Sequence, residues 1–397
     1  MRSQTTAVTC AMLLALAACS EPVATPADPD LDTQSDATVV ADELAAHRSG
    51  QPSSTVRWNR ESTALFRTRL AAGGPPPGFG RINTYLGLAQ YRAVLEARGG
   101  WHHGRRASLA GAAAGASVVV LKQFYPLDVA TIDAEFAAQR TEYAGRPHKL
   151  EAFDAGDAIG REVAAAVLVE AASDNVGVAP LPPQPVGPGY WVSSGAPTVK
   201  GNYGARLFFL TSPDEINSPP PPAFGSAEYL AALAEVKAFS VARTPEQAAI
   251  TTKWVPFSAP LFSDLAADLM DRHYRGELEA ARIFAYGNVA AFEAITGCFH
   301  TKYTYWFIRP TQADPSITLT TALPNHPSYP SAHSCQSGAW QAILLDAFPS
   351  ERRKINDMAN EASFSRVVGG LHYTFDGDAG LALGRKAGRL ALKRGIH

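Results

Sequence analysis

Between positions 156 and 172, Ile159, Val163, Ala166, Val167 and Val169 recur mostly at steps of three and four residues, which sets them along one stripe of a helix. Similar stripes predict helices over 70–95 with a Gly/Pro break, 107–122, 131–142, 227–239, 245–253, 262–274, 277–296, 334–347, 351–368 and 376–393. The β-branched runs are short and do not alternate, so the expected fold class is all-α, a helical bundle in which each stripe covers another. Two proline-rich stretches, 180–190 and 218–222, interrupt the helical pattern and predict surface connections around an irregular, aromatic-containing region over 190–210. There is no internal repeat.

The N-terminal pattern is of another kind. A lone Arg2, an apolar run over 7–18 and small residues before Cys19 have the layout of a secretory signal. Leu16-Ala17-Ala18-Cys19 resembles a bacterial lipobox, which implies removal of 1–18 and a lipid on Cys19, with Ser20 favouring the outer membrane of a Gram-negative host. Acyl chains, at about 0.8 kcal/mol per buried methylene, would hold such a protein to a bilayer without a spanning helix. Residues 19–55, rich in Pro, Asp, Thr, Ser and Ala, read as a flexible spacer, and 56–397 as a single helical domain whose catalytic part is 290–390. The expectation is an exported, lipid-anchored enzyme facing the periplasm or the cell surface.

Composition narrows the partners. Of 397 residues, 46% are hydrophobic and 18% charged, with 35 Lys and Arg against 37 Asp and Glu. A net charge of -2 supplies no general field for nucleic acid or an anionic membrane, so any anion site has to be built locally. The window 107–121 is too short and too mildly apolar to span a bilayer. Of the four cysteines, Cys298 and Cys335 fall in the folded part, where pairing and separate burial both remain open. No CxxC, GxSxG, Walker, dinucleotide or HExxH pattern occurs.

The candidate chemistry lies in the last quarter, where His300, His326, His333 and His372 join an ordered series of cations. Lys302 and Arg309 are seven apart, so on one continuous helix ended by Pro310 they would share a face and point at one ligand. Set among Tyr303, Tyr305, Trp306, Phe307 and Ile308, such cations are half buried, and buried cations call for an anion. The planar fork of Arg366 suits two oxygens at once.

Pro330 ahead of Ser331-Ala332-His333 and an apolar stretch reads as a helix start, where free amides, the Ser331 hydroxyl and the helix dipole favour an anion. His333 can give or take a proton there, because the reference pKa of histidine is about 6.5. His372 lies six residues beyond Arg366, with Asp376 four further on. A carboxylate on one ring nitrogen fixes the tautomer and leaves the other to attack phosphorus or bond a metal. Taken singly, His-x3-Asp and Lys-x6-Arg are ordinary surface features; their joint order is what points to a shared site. By contrast, His102-His103 beside glycines reads as a solvated loop, Asp378 as a cap or surface charge, and Gly380, Gly384 and Gly388 as a close helix contact.

The order Lys302-x6-Arg309-Pro310, Pro330-Ser331-x-His333 and Ser365-Arg366-x5-His372-x3-Asp376 resembles the signature of the type 2 phosphatidic acid phosphatase and vanadium-dependent haloperoxidase superfamily. Arg243-Thr244, Trp254 and the lead-in His326-Pro327-Ser328-Tyr329 extend the resemblance to secreted bacterial haloperoxidase-like members from about Tyr85 onward. It implies a helical bundle of the haloperoxidase and acid phosphatase type, whose cofactor is vanadate, or phosphate in the alternative. Lys302, Arg309, Arg366, Ser331 and the Ala332 amide would bind the oxoanion, and His333 would be the acid/base. His372 would be the axial vanadate ligand, or the nucleophile forming phosphohistidine, with Asp376 behind it. His326 and Phe299 fall where the halide side is expected. The implied partners are hydrogen peroxide, halide and a small organic acceptor, or else a phosphate monoester, with self-association common among such members. A non-catalytic, oxoanion-binding lipoprotein is the third reading. The family's usual Pro-Ser-Gly-His has Ala332 in place of glycine, which keeps the amide but adds a methyl that crowds the oxoanion or demands a negative φ.

Overall fold

The computed structural model describes residues 53–396 apart from 74–77, 100, 103–104, 196–201, 256–257 and 274. The signal, Cys19 and almost all of the spacer lie outside the described residues, as does His103. The chain forms α1 (Ser54–Ala71), α2 (Phe79–Gly99), α3 (Leu109–Phe124), α4 (Val129–Thr141) and α5 (Pro147–Ala172). There follow α6 (Ala227–Val241), α7 (Pro245–Lys253), α8 (Ser258–Arg272), α9 (Glu277–Tyr305), α10 (Pro310–Ala313), α11 (Ala332–Ala347), α12 (Arg352–Val368) and α13 (Thr374–Arg394). Among the described residues the only strands are a two-residue ladder of Trp101–His102 with Arg105–Arg106. The backbone of His102, read as part of a solvated loop, belongs to that ladder. The all-α expectation holds, and no described helix is long and apolar enough to cross a membrane.

Several boundaries differ from the expected ones for local reasons. Ser54 and Thr55, read as the end of the spacer, already belong to α1. Ser53 accepts from Val56 N at 3.2 Å, and the amides of Ser54 and Thr55 donate to the Glu277 carboxylate at 2.8 and 2.7 Å. A partner more than two hundred residues away leaves no local signal for that start. The break expected inside 70–95 separates α1 from α2. Helix α5 begins at Pro147, well before Ile159, the first residue of its apolar stripe, because proline suits a first turn.

The core consists of two tight helix pairs bridged by α2 and α9: α2 packs on the first pair, and the buried middle of α9 packs on α2 and on α11 of the second. In the first pair, alanines and glycines of α3 face α5, where a Cβ on Gly160 would lie 2.1 Å from the Ala112 carbonyl oxygen. The window that looked too mild for a membrane is thus a buried core helix. In the second pair, α11 meets the Gly380, Gly384 and Gly388 stripe of α13, and a Cβ on Gly384 would sit 2.0 Å from the Cys335 carbonyl oxygen. This pair brings the start of α11 beside the start of α13.

Candidate oxoanion site

Lys302 comes from the last turn of α9, but Arg309 does not share its helix. Helix α9 ends at Tyr305, Trp306 takes a left-handed conformation at φ 49°, and the chain runs extended to Arg309, the N-cap of α10. Pro310 therefore starts a helix where the spacing predicted that it would end one. Trp306 reverses the chain and its carbonyl accepts from Trp191 N at 2.6 Å, while Ile308 N donates to the Gly189 carbonyl at 3.0 Å. These bonds tie the extended segment to 189–191 and turn Arg309 inward.

Lys302 and Arg309 are both fully buried. Lys302 Nζ donates to the carbonyls of Pro327 and Ser328 at 2.8 and 2.7 Å. Arg309 donates from Nε to the His326 carbonyl at 3.0 Å, and from one terminal nitrogen to the Leu371 carbonyl at 2.8 Å and to His372 Nε2 at 3.1 Å. Its other terminal nitrogen donates to His326 Nδ1 at 3.0 Å. The neutral His326 stands edge-on to Phe299, their centroids 5.1 Å apart, so the expected halide-side pair forms a wall beside Arg309.

His372 lies in the turn before α13, and Asp376 in its first turn. His372 Nδ1 donates to Asp376 Oδ2 at 2.8 Å, so Nε2 carries the lone pair that accepts from Arg309. Asp376 Oδ2 also accepts from Ser328 Oγ at 2.5 Å and from Tyr373 N at 3.3 Å. Ser331 caps α11, and its own amide donates to the Asp376 carbonyl at 2.9 Å, which pins the two helix starts together.

On the opposite side the Trp254 carbonyl accepts from His333 Nε2 at 3.0 Å and from a terminal nitrogen of Arg366 at 3.4 Å. Arg366 is buried and its Nε has no hydrogen-bond partner among the described residues; the same holds for Asp376 Oδ1. The Ala332 methyl packs on the cluster of Trp191, Phe299, Tyr303 and Trp306, and the backbone there is helical, so the alanine needs no left-handed conformation. Ser328 and the carbonyls of Trp254 and Pro327 are the parts that sequence reasoning missed. A carbonyl carries no residue-type signal, and Ser328 stood in the motif lead-in without a role. His300 faces away and bonds Asp214 on the surface at 2.9 Å.

Electrostatics follow from burial. Desolvation pushes Lys302 down to about 8, although nearby Asp376 favours its charge, and Arg309 down to about 9. Burial alone lowers Arg366 to about 10. Asp376 is raised to about 6 by desolvation, against the pull of the Ser328 hydrogen bond and of Lys302 and Arg309. Burial, reinforced by the same cations, holds His326, His333 and His372 well below the usual histidine range. Three cations thus face one carboxylate in a buried site. An oxoanion offsets that imbalance and supplies an acceptor for Arg366 Nε. A bare metal cation does not, and no cluster of three His, Cys, Asp or Glu suited to one occurs among the described residues.

Residues 282–393 match the pattern of the PAP2 superfamily. A vanadium-dependent bromoperoxidase of Ascophyllum nodosum is 32% identical over 90 residues, with a coverage of 15% of this chain and only 16% of that protein's length. A bacterial vanadium-dependent iodoperoxidase superposes with a TM-score of 0.70 over 86% of this chain and 97% of its own, at 20% identity. A bacterial vanadium-dependent chloroperoxidase in its apo form gives 0.61 over 80% and 95%, at 14% identity. At such identities the likeness is one of fold.

Proposed function

From a C-terminal region, 282–393, that belongs to the PAP2 superfamily, we propose that this protein is a vanadate-dependent haloperoxidase-like enzyme that uses hydrogen peroxide to oxidise halide. The observation that carries the reading is the lone pair of His372 Nε2, fixed by Asp376 and turned toward Arg309 in a buried group of three cations. The chain-length likeness to bacterial haloperoxidases supports it over a compact phosphatase.

Vanadate, when bound, supplies a Lewis-acidic centre that activates peroxide toward two-electron oxidation of halide. The protein's part is binding, orientation and proton control. Lys302, Arg309 and Arg366 would hold the oxygens as donors that are already desolvated, and the Arg309 bond to His372 Nε2 would open to free that lone pair. Ser331 and the Ala332 amide add the positive end of α11. His372 Nε2 provides the protein ligand, with Asp376 holding its tautomer through Nδ1. His333, held neutral by burial, would be the group that takes up and returns a proton at the bound oxygens. Phe299 and His326 border the side from which halide approaches.

The same pocket suits phosphate, and a phosphatase would use His372 as its nucleophile. The test loads purified protein with orthovanadate and follows bromination of a phenol with peroxide, alongside p-nitrophenyl phosphate hydrolysis. Bromination that disappears in His372→Ala supports the proposal; phosphate ester turnover without bromination replaces it by the second reading. Anchoring through Cys19 belongs to the same proposal and is read separately, as loss of lipid labelling in Cys19→Ala.

A further inference from the structure

The Trp254 carbonyl that bonds both His333 and Arg366 is itself held from behind. Trp254 is the C-cap of α7, so its carbonyl is one of those that a helix end leaves without an intrahelical partner. Its side chain is fully buried, and the indole Nε1 donates to Glu361 Oε1 on α12 at 2.9 Å. Lys253 Nζ donates to the same oxygen at 2.6 Å and stands 5.3 Å from the centre of the indole ring. Partial burial favours the neutral acid, but the hydrogen bonds from Lys253 and Trp254 outweigh it and hold the Glu361 carboxyl below its ordinary range. Further along the same segment, Ser258 Oγ and Ala259 N donate to Gln336 Oε1 at 2.6 and 3.0 Å. The segment is thus fixed at one end by α12 and at the other by α11.

We infer that Glu361 is a positioning residue for the oxoanion site: through the indole of Trp254 it aims the Trp254 carbonyl at His333 Nε2 and at Arg366. The inference deepens the proposed function and rests on its reading of His333 as the proton carrier. A carbonyl only accepts, so its 3.0 Å bond with His333 Nε2 puts the ring hydrogen on Nε2 and the basic lone pair on Nδ1. The Trp254 carbonyl thus does for His333 what Asp376 does for His372, with a dipole in place of a charge. A neutral acceptor fixes the tautomer without drawing a second proton onto the ring. It also leaves the charge of Arg366, whose bond to the same oxygen is 3.4 Å, uncompensated and available to an anion. The Lys253–Glu361 ion pair is a third to a half exposed and contributes little energy, so the indole bond carries the positioning.

The experiment records NMR spectra of the full-length protein with ¹⁵N-labelled histidine and tryptophan, without vanadate or peroxide, for wild type, Glu361→Ala, Glu361→Gln and Trp254→Phe. Wild type is expected to show a hydrogen-bonded Nε2 proton on His333 and two well-separated ring nitrogen shifts. In Glu361→Ala the Trp254 indole proton moves to its unbonded position, the His333 Nε2 proton is lost to exchange with water, and the two nitrogen shifts draw together. Trp254→Phe, which keeps the carbonyl and loses its anchor, gives the same His333 spectrum. Glu361→Gln, whose amide oxygen still accepts from the indole, restores the wild-type spectrum. A His333 spectrum that stays unchanged in Glu361→Ala while the indole proton moves overturns the inference, and a lowered Tm as the sole effect makes Glu361 a structural residue. Loaded with orthovanadate, Glu361→Ala is expected to lose about 10-fold in kcat for bromination. Absence of bromination in wild type would overturn the proposed activity and leave the spectra, recorded without cofactor, to decide the positioning role on their own.

Discussion

His372 Nδ1 and Asp376 Oδ2 lie 2.8 Å apart although only one of the two residues is helical. The contact bridges a turn and a helix start, and the same carboxylate caps that helix by accepting from Tyr373 N at 3.3 Å. Asp376 therefore sets the tautomer of His372 and the entry of α13 together. Asp376→Asn keeps the size, but it removes the charge that favours Nδ1–H and offers an amide in its place. Phosphate or vanadate affinity measured by calorimetry is expected to fall about 10- to 100-fold. Unchanged affinity would remove Asp376 from the site.

Arg366 separates function from stability. Its Nε is buried without a partner among the described residues, and the hydrogen bond that its terminal nitrogen makes to the Trp254 carbonyl is a long one, so the folded protein without oxoanion gains little from the charge. Arg366→Met keeps most of the volume and removes the desolvation cost. Urea unfolding without oxoanion is expected to show stability unchanged or raised by up to about 1 kcal/mol. Oxoanion affinity is expected to fall roughly 10- to 100-fold, the loss of one or two charge-assisted bonds. A variant that loses stability and keeps affinity would make Arg366 a structural cation.

How much of this was legible depends on where each partner comes from. The helical stripes are local, so the bundle could be read directly, and 245–253 coincides with α7 to the residue. The order of Lys302, Arg309, Ser331, His333, Arg366, His372 and Asp376 marked the right side chains because each carries its chemistry in its type. The path between them was not legible. Lys302-x6-Arg309 looked like two turns of one helix, whereas the left-handed Trp306 breaks that helix and an extended strap returns Arg309 to the site. Backbone carbonyls hold Lys302, His333 and Arg366, and a carbonyl is the same at every position.

The depressed lysine makes stability depend on pH in a chosen window. The Lys302 ammonium has its pKa lowered to about 8 in the folded protein, against an ordinary value near 10.5 in the unfolded chain. Between these values the unfolded chain binds more protons, so stability rises with pH, and the contribution is lost as pH falls through about 8. Asp376 works in another window. Raised to about 6, it stabilises fully below its ordinary value of 3.8, and that contribution is lost as pH rises through about 6. Urea midpoints are expected to rise between pH 8 and 10 in wild type, and the rise should shrink in Lys302→Met. Saturating phosphate should flatten the same slope, because a bound anion favours the ammonium. A slope identical in variant and wild type would assign it to other groups.

Ala332 is where this chain departs from the superfamily's glycine, and the structure gives the methyl a place. It packs on Trp191, Phe299, Tyr303 and Trp306, at the first turn of α11, where the backbone is already helical. Glycine there would lose that contact and gain unfolded-state freedom, so Ala332→Gly is expected to cost about 1 kcal/mol in urea unfolding. The amide stays in place in both forms, and the methyl contacts the aromatic wall. Phosphate affinity is therefore expected to stay within about threefold, a change of under 1 kcal/mol. An affinity gain well beyond that, measured by calorimetry on the two proteins side by side, would mean that the methyl crowds the oxoanion and that its aromatic packing is incidental.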